Sequence, residues 1–178
     1  TGHYVTVWRR SETGDWRVVL DHGVEHPAAA APTESLASLY AASWPDAGDA
    51  RRCGEADRID AVAKADESLN RAIRKRGLAA GIAAAAGDDA IVYRDGRAPG
   101  RPASALPDSV DLPRGGAGRA TGRIATPHAD LAVTHGVLES RTAGATAPLQ
   151  LAYVRVWRLD GSRWRLAVDA TTELAATE

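Results

Sequence analysis

One hairpin is written twice in this chain. Tyr4, Val5, Thr6, Val7, Trp8 and Arg9 return as Tyr153, Val154, Arg155, Val156, Trp157 and Arg158, and the strand Trp16 to Asp21 returns as Trp164 to Asp169. Self-similarity over this distance constrains a fold more than any local pattern does, because both copies must find an equivalent way to bury an apolar face. The flanks are β-branched and aromatic, and the connections carry Gly14 and Asp15 in one copy and Asp160 and Gly161 in the other, as tight hairpin turns require. Only the second copy is preceded by enough chain to build a domain. Residues 1–26 are therefore expected to be the C-terminal hairpin of a truncated upstream repeat, 27–56 a linker, and 57–178 the domain itself. The first hairpin should keep an unsatisfied apolar face, which leaves it mobile, paired with a sheet edge or driving association.

The stretch after the first hairpin is punctuated by Pro27, Pro32, Pro45 and Gly48 and reads as a linker, with a short helix from Thr33 to Trp44. From Asp57 the pattern changes. Ile59, Val62, Leu69 and Ile73 fall on one helical stripe with the charges elsewhere, and Gly77 stops the helix after Arg74, Lys75 and Arg76. Leu78 to Ala86 is a second, small-residue helix broken at Gly87, and Ala90 to Arg94 a strand that turns at Asp95 and Gly96. Residues 98–120 read as a long irregular connection, followed by strands over Thr121 to Thr126 and Asp130 to Ser140 and then the second hairpin. Helices first and strands afterwards predict an α+β domain, with helices on one face of a mainly antiparallel sheet.

Composition narrows the function classes. Charge is nearly balanced, with 22 basic against 23 acidic side chains, and no apolar run reaches the roughly 18 residues of a membrane span, which argues against nucleic-acid and membrane partners. The single cysteine, Cys53, has no intramolecular disulfide partner and reads as a bystander in the linker. No methionine occurs, so Thr1 is not expected to be the natural start, and the sequence does not distinguish cytoplasm from periplasm. His22 to His26 spells H-x-x-E-H, but Pro27 disfavours the helix that a zinc site of this spacing needs. The glycines at 115, 116, 118 and 122 lack the spacing of a nucleotide loop, so neither metal nor cofactor is expected.

The element order, with Gly87 to Ala90, Asp130 to Gly136 and the final hairpin Tyr153 to Asp169, resembles the nuclear transport factor 2-like superfamily, in particular its ketosteroid-isomerase-like and polyketide-cyclase-like bacterial members of unknown function. The resemblance implies a cone of helices over a strongly curved sheet (a cystatin-like layout), a pocket between helices and concave face, and a homodimer through the opposite face. Such members include isomerases, dehydratases, cyclases and epoxide hydrolases, as well as non-catalytic association modules, so fold does not choose among chemistries.

If the domain is catalytic, proton transfer on a small organic ligand is the expected chemistry. Asp169 or His135 would be the base and Tyr93 would polarise an oxygen. Asp169 closes the last strand and, aimed into an apolar pocket, would have a raised pKa; alternatively it accepts structural hydrogen bonds. His135 shares parity with Leu131, Val133 and Val137 and is expected to face the buried side, as an acid–base group or as a satisfied core histidine. Tyr93 reads as a ligand contact or a rim packing residue. Tyr153, Trp157 and Trp164 are candidates to bind ligand, against the alternative of cross-strand packing. The competing function is a non-catalytic dimerisation domain whose cone is filled by its own side chains.

Overall fold

The computed structural model describes residues 1–27, 55–102, 106, 117–125, 131–140 and 148–174. The helix expected over 33–44, Cys53 and the turn at Pro127 lie outside the described residues. β1 (Gly2–Arg10) and β2 (Trp16–Glu25) form a separate antiparallel hairpin. Then come α1 (Glu55–Arg76), α2 (Leu78–Ala85), β3 (Ala86–Arg94), β4 (Arg97–Gly100), β5 (Ala117–Ala125), β6 (Leu131–Ser140), β7 (Leu149–Asp160) and β8 (Arg163–Glu173).

β3 to β8 make one six-stranded sheet in the order β4-β3-β8-β7-β6-β5. Every neighbouring pair is antiparallel except β3 and β8, which run parallel because the chain from β3 must cross the whole sheet before it returns beside it. Two stretches read as irregular carry strand. β4 and the start of β5 fall in the Pro- and Gly-rich region, where composition conceals pairing that the neighbouring strands impose.

α1 forms because Ile59, Val62, Leu69 and Ile73 repeat at helical spacing, and it ends where Gly77 takes a φ of 92° and donates its N–H to the Ile73 carbonyl at 2.8 Å. Its apolar stripe packs with α2 against the concave face of the sheet, where Val92, Ala132, Leu138, Trp157 and Leu166 complete the main core. Alternation along the strands sends the other side chains to the outer face. There Ile91, Tyr93 and Ala170 pack with Val24 and Val5 of the hairpin, so β1–β2 covers the β3–β8 half of the sheet's outer surface.

The hairpin is fastened as well as packed. Asp95, in the β3–β4 turn, accepts from the Glu25 N–H and from the Glu173 N–H, both at 3.1 Å, and so joins the end of β2 to the end of β8. Thr172 donates to the Gly23 carbonyl at 2.8 Å, and Gly96 N–H to the Glu25 carbonyl at 2.7 Å. The hairpin therefore neither hangs free nor extends a sheet edge; one of its faces is packed and the other is exposed.

Candidate functional site

The polar centre of the molecule lies beneath α1. Asp66 occupies the stripe position between Val62 and Leu69 and faces the sheet, where it accepts from Thr134 Oγ1 (2.8 Å), Tyr153 Oη (2.9 Å), Asn70 Nδ2 (3.1 Å) and Arg155 Nη1 (2.8 Å). Arg155 also donates from Nε to Asp169 Oδ1 at 2.9 Å and from Nη1 to Asn70 Oδ1 at 2.7 Å, and its guanidinium lies 4.0 Å from the centroid of the Tyr153 ring. Arg94 closes the chain on the far oxygen of Asp169, which Thr171 also reaches. Trp157 joins through Nε1 to Thr134 at 2.9 Å. Two carboxylates and two guanidiniums thus alternate in a continuous buried chain, Asp66, Arg155, Asp169, Arg94, at side-chain exposures of 1%, 0%, 1% and 7%.

Charges this deep are tolerated because each has an opposite partner and both carboxylates are hydrogen-bonded on both oxygens, although Arg155 Nη2 and Arg94 Nε are buried without a hydrogen-bond acceptor among the described residues. Burial by itself would disfavour the Asp169 anion, but Arg94 and Arg155 outweigh it and hold the carboxyl below its usual range. Burial pushes the Tyr153 phenol well above its usual value, so it stays a neutral donor to Asp66. A carboxylate stabilised as an anion by two arginines is a poor proton acceptor, and the raised pKa expected for Asp169 is reversed.

The three residues expected to perform proton transfer do not meet. Asp169 is inside the cone. His135 and Tyr93 lie on the opposite side of the sheet: Thr134, not His135, points to α1, while His135 sits on the outer face beside Thr121 (3.2 Å). Tyr93 is buried under the hairpin, with its ring 6.4 Å from that of His3. His135 shares its side of β6 with Val133 and Val137, but the helices cover the other side, so the expectation that it faces the helix-covered core is corrected. Of the expected ligand residues, Tyr153 is committed to Asp66, whereas Trp157 and Trp164 line an open cleft of about 220 Å³ whose helical wall comes from Leu69 and from the smaller Ala65, Ser68, Ala72, Gly81, Ala84 and Ala85. Small residues at these facing positions leave the space unfilled. A larger hollow, about 680 Å³, lies along the seam between the hairpin and Asp95, on the other side of the sheet.

Sequence reasoning passed over Asp66, Arg94 and Arg155. A signal for Asp66 existed: Ile59, Val62, Asp66, Leu69 and Ile73 form one unbroken stripe with a carboxylate at its middle, so the charges of α1 do not all lie elsewhere. The H-x-x-E-H segment is extended strand and its exit; His22 meets Thr172 at 3.1 Å and His26 stacks on His3 with centroids 4.9 Å apart. Among the described residues no set of three His, Cys, Asp or Glu side chains is grouped to hold a metal ion.

No protein-family model matches the sequence, and no curated protein matches it. Solved structures do match the fold. An NTF2-like (nuclear transport factor 2-like) protein of unknown function from Pseudomonas putida KT2440 superposes with a TM-score of 0.52 at 14% identity, over 71% of this chain and 93% of that one. A conserved protein from Planctomyces limnophilus DSM 3776 gives a TM-score of 0.49 at 20% identity, over 67% of this chain and 98% of the other. The chain has the nuclear transport factor 2-like fold: helices packed on a large, curved, mainly antiparallel sheet.

Proposed function

We propose that this domain binds a small apolar molecule without acid–base chemistry of its own, and that the binding place is the cleft between α1, α2 and the indoles of Trp157 and Trp164. The observation that carries this reading is the state of the cone. Its centre is filled by Asp66, Arg155, Asp169 and Arg94, whose charges are spent on one another. A substrate entering there would have to break ion pairs that cost several kcal/mol to leave uncompensated.

The cleft presents the opposite chemistry. Alanines, Gly81 and Leu69 form the helical wall, and the buried Trp157 and partly buried Trp164 complete the lining, so a small apolar body that enters displaces water at about 25 cal/mol per Å² of apolar surface buried. Ser68 supplies the hydroxyl among the helical residues of that wall.

Quenching of tryptophan fluorescence by a naphthalene probe, titrated into the intact chain, tests the reading. Saturable quenching that Ala72→Leu abolishes, with the melting temperature unchanged, is the expected result. Quenching that survives Ala72→Leu, or turnover lost on Asp169→Asn in a variant that still folds, would overturn it.

A further inference from the structure

The two sequence copies are also structural copies, residue for residue in their pairing. Tyr4 lies opposite Gly23 as Tyr153 lies opposite Thr171, Thr6 opposite Asp21 as Arg155 opposite Asp169, and Trp8 opposite Val18 as Trp157 opposite Leu166. Both ladders slip at one place, between Val7 and Trp8 in the first and between Val156 and Trp157 in the second. A shared bulge makes the same side chains share a face in both hairpins.

Their surroundings differ. On β7–β8 this face is the concave one, covered by α1, and Tyr153, Trp157 and Leu166 are each 1% exposed. On β1–β2 it points away from the sheet, and Tyr4, Trp8, Trp16 and Val18 stand 73%, 56%, 63% and 47% exposed. The opposite side of β1–β2 is the one that packs on the domain, through Val5 and Val24. An exposed aromatic face of this kind, crossed by the polar pair Thr6 and Asp21 and already shaped to receive a helix in its duplicate, marks an interaction surface.

Charge identifies the occupant. In the second copy the sheet offers the cation of Arg155, and α1 answers with Asp66. In the first copy the arginine is replaced by Thr6, which donates to Asp21 at 2.7 Å, so the sheet offers a carboxylate that lacks the two arginines its counterpart Asp169 holds. A helix laid on this face would bury Asp21 with one neutral donor, which is costly unless the helix brings a cation.

We infer that the outward face of β1–β2 is the docking floor for a partner amphipathic α-helix, one whose apolar stripe carries a basic side chain where α1 carries Asp66. Tyr4, Trp8 and Val18 take the stripe as their counterparts take that of α1, and Asp21 pairs with the base. The partner helix is thus the charge-inverted equivalent of α1.

Two peptides of residues 55–76 serve as probes, each held helical by a lactam between the exposed Asp60 and Lys64, one with the native Asp66 and one with Asp66→Lys; circular dichroism establishes that both are helical. Titrated into the full chain and followed by fluorescence anisotropy, the Asp66→Lys peptide should bind saturably and the native peptide about tenfold more weakly, because like charges would meet at Asp21. Trp8→Ala with Trp16→Ala in the full chain should remove binding while the melting temperature holds, and Asp21→Asn should bring the two peptides to similar affinity. The inference is overturned if neither peptide binds, if both bind the unaltered chain equally, or if binding survives loss of the two tryptophans. It is also overturned if sedimentation shows the full chain dimerising through this face, dispersed by the same tryptophan variant, since the occupant would then be a second copy.

Discussion

Arg155 and Asp66 face each other across the boundary between sheet and helix, Nη1 to Oδ1 at 2.8 Å, and neither has measurable contact with solvent beyond 1% of its side chain. The pair connects the middle of β7 to the middle of α1, so the fold's two layers are registered by charge as well as by apolar packing. Replacing Arg155 by Met would leave the buried Asp66 carboxylate without its cation and Asp169 with Arg94 alone. A loss of about 3–5 kcal/mol in chemical denaturation is expected. Adding Asp66→Leu should restore part of that loss; a double variant less stable than the single one would contradict the account.

Stability should fall on acidification through this same centre. The Asp169 carboxyl is depressed in the folded chain, so its contribution is fully present above the unfolded value of about 3.9 and is lost as pH drops through the lower folded value. Denaturation midpoints measured between pH 6 and pH 2 should therefore decline most steeply below about pH 4. In Asp169→Asn, already destabilised, that part of the decline should be missing.

The hairpin seam has its own pH response. Burial lowers the His22 pKa against the opposing pull of Asp95 and Asp169, and burial together with the neighbouring His26 lowers that of His3. Both groups thus take up protons less readily when docked than when free. Docking is fully favourable above the free-histidine value of about 6.5 and weakens as pH falls below it. Hydrogen exchange of β1–β2 should accelerate relative to β6–β7 on going from pH 7.5 to pH 5.5, after correction for intrinsic rates. His22→Gln should reduce the difference.

Gly136 is a place where β6 leaves no room for a side chain against β5. A Cβ there would lie 2.1 Å from the Arg119 carbonyl oxygen and 2.8 Å from the Ala120 Cα, and these are main-chain atoms that move only with β5 itself. Gly136→Ala should cost about 1–3 kcal/mol and raise exchange of the β5 amides before those of β8. An unchanged melting curve would show that β5 shifts freely.

What the chain's own letters determined is local and periodic. The duplicated hairpin, the apolar stripe of α1 from Ile59 to Ile73, the stop at Gly77 and the turn at Asp95 and Gly96 follow from spacing and backbone freedom, which depend on neighbours a few residues apart. The α+β class followed from their order. Tertiary structure alone decided which face of each strand meets the helices, and alternation is silent on that choice. It put His135 and Tyr93 outside the cone with Thr134 and Arg155 within. It also decided the charge state of Asp169, because a buried carboxyl is raised by an apolar pocket and lowered by arginines. Here those arginines come from β3 and β7, strands brought beside β8 only when the sheet closes.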